Sequence, residues 1–137
     1  MLETTLSSLA GLPPFLAYFA VAVLLVLIFI RVYTWVTPHD ELALIRANNP
    51  SAALAFGGAL IGFALPLSSA ITHSLSLLDC AVWGAVALIV QALTFVALRI
   101  TIRQLPERIE RGEVAAGILA AAVAVSIGFI NAASMSS

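Results

Sequence analysis

Four long apolar runs, at residues 15–36, 51–72, 80–100 and 114–135, dominate the chain. Their only charges are Arg31 and Arg99, each near one end of its run. A helix needs about 20 mostly apolar residues to cross a hydrocarbon core of roughly 30 Å. Each run meets that length, so the pattern predicts an all-α membrane protein with four transmembrane helices. The polar stretches between the runs are short. The longest, residues 37–50, and the shortest, residues 73–79, leave no room for a soluble domain, so residues 1–137 read as one integral-membrane domain.

Local signals set the expected helix ends. Pro13-Pro14 can open the first span, because a first-turn proline forfeits no helical hydrogen bond. Asp79 is the expected N-cap of the third. Thr37-Pro38-His39-Asp40 has the order N-cap, first-turn proline, acid, and predicts a short amphipathic helix through about Ala47. Leu42, Leu44 and Ile45 are then available to lie on the membrane surface. Asn48-Asn49-Pro50 turns the chain into the second span.

Composition sharpens this picture. Hydrophobic residues make up 62% of the chain and charged residues 9%, with mean hydropathy +1.11. Net charge is −1, which gives no support for nucleic-acid binding. The one cysteine, Cys80, allows no intrachain disulfide, and His39 and His73 fall in different connections, so no metal cluster or cofactor is expected. Met1-Leu2-Glu3 lacks the basic start of a signal peptide, so the first span is expected to be retained.

All six basic residues are arginines. Arg31, Arg46, Arg99, Arg103, Arg108 and Arg111 all lie at or within the first and third connections. The second connection and both tails have none. The positive-inside rule therefore predicts that the first and third connections are cytoplasmic and both termini periplasmic, in a bacterial inner membrane.

The halves resemble each other. Arg31 precedes Pro38 by seven residues, and Arg99 precedes Pro106 by seven. Each proline opens a short charged segment that ends in a turn and an Ala pair: Asn49-Pro50-Ser51-Ala52-Ala53, and Gly112-Glu113-Val114-Ala115-Ala116. The pattern predicts two tandem, parallel helical hairpins, repeat one about 15–72 and repeat two about 80–135. Thr37-Pro38-His39, the run Asn48–Phe56, Pro66-Leu67-Ser68-Ser69-Ala70 and Asn131-Ala132-Ala133 carry a further likeness. Through them the chain resembles the YjfL family of small bacterial inner-membrane proteins, also called domain of unknown function 350. The resemblance implies a duplicated four-span architecture and no activity. Neighbours of the phage-shock membrane-coat type imply a link to envelope maintenance.

Candidate functional positions are few. Gly58 and Gly62 have GxxxG spacing, and Ala116, Ala120, Ala124, Gly128 and Ala132 share one face of the last span; such residues let helices approach within a protomer or between copies. Pro66 removes a donor from the carbonyl of Gly62 and predicts a kink repaired by Ser68 and Ser69. Ser68 and Asn131 each lie 17 residues past the start of their span, which predicts a polar layer, with Gln91 apart from it at mid-span. Asn131 is expected to bond to Ser68, Ser69 or the freed carbonyls. No acid or base lies at mid-membrane, and no serine has a buried base in reach, which argues against transport relays and catalysis. Two functions remain. One is a non-enzymatic oligomeric scaffold that presents Arg46, Arg103, Arg108 and Arg111 to a membrane-associated protein or anionic lipid. The other is a small oligomeric ion or solute channel lined by Ser68, Ser69, Gln91 and Asn131.

Overall fold

A computed structural model describes residues 1–38 and 40–135, and every regular element in them is helical. Helices α2 (Leu12–Val36), α4 (Pro50–His73), α5 (Leu77–Thr101) and α7 (Val114–Met135) are long and apolar enough to cross a membrane. Short helices α3 (Glu41–Arg46) and α6 (Leu105–Glu110) join them at one end. An eight-residue helix, α1 (Leu2–Leu9), precedes them with no buried residue. It was not expected, although Leu2, Leu6 and Leu9 recur at helical spacing.

Capping chemistry decides the boundaries and corrects two expectations. Thr37 does not open α3. It closes α2, its backbone N–H and its hydroxyl both donating to the Tyr33 carbonyl at 3.0 Å. Asp40 is the N-cap instead, accepting from Ala43 N at 3.2 Å. His39 lies outside the described residues. Asp79 is likewise not the cap of α5. Ser76 is, accepting from Asp79 N at 3.1 Å, while the Asp79 carboxylate accepts from Leu75 N at 3.0 Å. The exchange resembles a capping box, except that the acid accepts from Leu75, one residue before the cap.

Both short helices end alike. Asn48 at φ 67° and Gly112 at φ 79° take the left-handed conformation. Asn48 N donates to Ile45 O and Asn49 N to Leu44 O, each at 2.9 Å; Gly112 N donates to Ile109 O at 2.9 Å and Glu113 N to Arg108 O at 3.0 Å. These are Schellman closures, which need a residue tolerant of positive φ. Of the three apolar side chains expected on the membrane surface, only Leu42 is exposed. Leu44 and Ile45 pack on a cluster of Ala52, Leu105, Ile109 and Ala116.

The spans pack in two parallel pairs. Contacts between α4 and α7 advance together, from Ser51 with Gly117 through Gly62 with Ala124 to Ser69 with Ala132. Those between α2 and α5 do so from Leu25 with Gly84 through Tyr33 with Phe95 to Val36 with Arg99. Leu67 near Gly84 and Gly62 near Gln91 make α4 and α5 antiparallel. An aromatic cluster ties three spans together. Phe29 stacks on Phe63 with centroids 4.7 Å apart, and Tyr33 meets Phe56 at 5.5 Å and Phe95 at 5.6 Å. Such pairs contribute about 0.5–1.5 kcal/mol each beyond buried area.

Candidate functional site

The α4–α7 seam is built from missing side chains. A Cβ on Gly58 would collide with Ala121, one on Gly62 with the Ala124 carbonyl, one on Gly117 with Ser51, and one on Gly128 with the Gly62 carbonyl. Without a hydrophobic drive between helices in lipid, such close backbone packing is what holds them. Pro66, fully buried, lies inside α4, which stays helical through it from Pro50 to His73. The Gly62 carbonyl has no N–H partner at Pro66 and faces Gly128 instead. That is the setting for a Cα–H···O contact, worth perhaps about 0.5–1 kcal/mol.

The serines do not perform the expected repair. Ser68 is exposed, its carbonyl accepting from Thr72 Oγ1 at 2.9 Å. Ser69 Oγ donates to the Ala132 carbonyl at 3.0 Å and so joins α4 to α7. Gln91, expected apart from other polar groups, makes the deepest interhelical bond. It is 3% exposed, and Nε2 donates to the Ala124 carbonyl at 2.9 Å beside Gly62. The expectation for Asn131 is not met. Its Nδ2 is buried and has no hydrogen-bond partner among the described residues. The Ser69–Ala132 bond puts Ser68 and Asn131 at similar depth, with Gln91 apart from them at Ala124, but Ser68 faces outward and no bond joins it to Asn131.

At the arginine end two features escaped the sequence reading. Asn49 caps α4 through Oδ1, accepting from Ala52 N at 3.0 Å, and Nδ2 donates to the carbonyls of Ile109 and Glu110, each at 3.0 Å. One side chain thus clamps the start of α4 to the end of α6. Glu41 is fully buried, and the Tyr33 hydroxyl faces its carboxylate. Its position was readable, since Glu41 shares a helix face with Leu44 and Ile45 three and four residues on.

The arginines differ in their surroundings. Arg108 Nε pairs with Glu113 at 3.1 Å and Arg111 with the same carboxylate at 2.7 Å. Hydrogen bonds from Arg111, then Arg108, hold the Glu113 carboxyl below the usual carboxylate range. Arg99 reaches the Val36 carbonyl at 3.5 Å. Arg31, Arg46 and Arg103 are exposed.

Comparison with known proteins agrees with this architecture. The model of the family described as Domain of Unknown Function (DUF350) matches residues 7–135. The UPF0719 inner membrane protein YjfL of Escherichia coli K12 is 42% identical over 127 residues, 93% of this chain and 96% of that protein. The UPF0719 transmembrane protein YshE of Bacillus subtilis 168 is 29% identical over 119 residues, 85% of this chain and 89% of that protein. No solved structure matches the chain. Four spanning helices, a family match over nearly the whole length and relatives named for the membrane place it plainly: this multi-pass membrane protein belongs to the DUF350 family.

Proposed function

We propose that the protein is a non-enzymatic oligomeric scaffold or assembly subunit of the bacterial inner membrane, active in envelope maintenance. In this reading both termini are periplasmic and the arginine end is cytoplasmic. The chain is a tandem repeat, each copy a long helix, a short helix and a second long helix. The matching Schellman closures after α3 and α6 support that repeat.

One observation carries the functional reading. Two of the four polar groups that a pore would use, Gln91 and Ser69, are spent inside the protomer. Gln91 and Ser69 are bonded to carbonyls of α7, and α4 and α7 meet backbone to backbone along that seam. A protomer closed in this way favours an assembly role over conduction. The arginine end, meanwhile, carries six arginines against Asp40, Glu41, Glu107, Glu110 and Glu113. That near-balance, with Glu113 already holding two arginines, favours a protein partner of mixed charge over plain anionic lipid.

Ion flux through liposomes containing the purified protein tests the reading. Flux no greater than in empty vesicles is expected, together with an oligomer in cross-linking at native abundance. Saturable, ion-selective flux would put the channel in its place.

A further inference from the structure

At the end of the bundle away from the arginines, α4, α5 and α7 line a partly open cavity of about 40 Å³. Ser69, His73, Ser74, Asp79, Trp83 and Met135 line it. We propose that this cavity is a binding site for a soft or borderline transition-metal cation, with His73, Asp79 and Met135 as its protein ligands.

The imidazole is set up for this. His73 Nδ1 lies 3.0 Å from the Ser69 carbonyl, which can only accept, so Nδ1 carries the proton and donates. The Ser69 hydroxyl lies at 3.4 Å from the same nitrogen and already donates to Ala132, so it too is left as an acceptor. In the neutral imidazole the lone pair is therefore on Nε2. A backbone carbonyl that fixes the tautomer of a ligating histidine is a recurrent feature of metal sites. Asp79 spends one carboxylate oxygen on Leu75 N and keeps the other. His73 and Asp79 face the same small space, yet no ion pair is found between them among the described residues. Met135 adds a thioether, and Trp83 lines the same cavity.

The donor set selects the class of ion. Imidazole suits zinc and copper, and a thioether selects Cu⁺, whereas Ca²⁺ and Mg²⁺ require many oxygen ligands. No three His, Cys, Asp or Glu side chains converge among the described residues, and Met135 is the further donor that lines the cavity with His73 and Asp79. The arginines stand at the opposite end of the bundle from Asp79. The inference is independent of the scaffold reading.

The test uses the full chain, free of any affinity tag and stripped with chelator. Zn²⁺, and separately Cu⁺ under ascorbate, are titrated by calorimetry, with Ca²⁺ as control. Saturable binding of one Zn²⁺ or Cu⁺ per chain is expected. His73→Gln should weaken both by at least about tenfold. Met135→Leu should weaken Cu⁺ more than Zn²⁺, and Asp79→Asn the reverse. His73 is exposed and Met135→Leu keeps an apolar side chain of similar volume at a half-buried position, and unchanged circular dichroism certifies the fold of both variants. Absence of saturable binding by either metal below about 1 mM, or binding that survives His73→Gln undiminished, would overturn the site.

Discussion

Substituting Asn49 separates two jobs that one side chain performs. Its Oδ1 caps α4, and its Nδ2 holds two carbonyls of α6. Loss of an N-cap costs about 1 kcal/mol. The Ile109 carbonyl is partly buried, so losing its bond costs about 1–1.5 kcal/mol; the exposed Glu110 carbonyl can turn to water, and its share is about 0.5 kcal/mol. Asn49→Ala should therefore destabilise by about 2.5–3 kcal/mol. Asn49→Ser keeps a capping hydroxyl but does not reach α6, so it should cost about 1.5–2 kcal/mol. Asn49→Asp keeps the cap as well, yet it aims a carboxylate at two carbonyl oxygens, and it should fall at or below the serine variant. Reversible unfolding in mixed detergent micelles, followed by circular dichroism, measures all three. An aspartate variant as stable as wild type would refute the clamp, because the cap alone would then account for Asn49.

Other perturbations probe the remaining contacts. Gly62→Leu forces a side chain into the Ala124 carbonyl and should cost about 3 kcal/mol or more, read as a fall in unfolding midpoint; an unchanged midpoint would dismiss the seam. Asn131→Leu removes a buried donor that lacks a partner, a group costing about 1–3 kcal/mol, so the variant should be no less stable than wild type, and a clear loss would reveal a bond at Asn131. Because the Glu113 carboxyl is held low in the folded protein, its contribution is present above pH 4.5 and is lost as pH falls through the folded value. Wild type and Glu113→Gln should thus differ near neutrality and converge in acid; a gap that widens in acid would reverse the sign. A C-terminal alkaline phosphatase fusion should be active, and an inactive one beside a fluorescent C-terminal GFP fusion would invert the proposed orientation.

The spans were legible because hydropathy over 20 residues is a sum that local detail cannot cancel, and prolines and asparagines punctuate it. Family membership was legible in runs such as Asn48–Phe56. Capping was read less well. Thr37 and Asp79 have the right chemistry for N-caps, but Asp40 and Ser76 do too, and only backbone placement chooses between them. The polar groups were hardest. Depth along a helix follows from counting residues, but azimuth depends on which neighbours pack, so the count separates Gln91 from Ser68 and Asn131 without showing that Gln91 bonds across the seam or that Ser68 faces outward. The Asn49 clamp joins residues about 60 apart in the chain, a distance over which periodicity says nothing.

The account rests on polar groups of the spans joining helices within one protomer, and a disulfide tests that most directly. In a Cys80→Ala background, Ser69→Cys and Ala132→Cys replace two residues whose atoms lie 3.0 Å apart across the seam. Mild oxidation in native membranes should cross-link them within a single chain, giving a monomer of altered gel mobility that reverts on reduction. Cross-links that form only between chains, or none at all, would contradict the parallel α4–α7 seam and the closed protomer built on it.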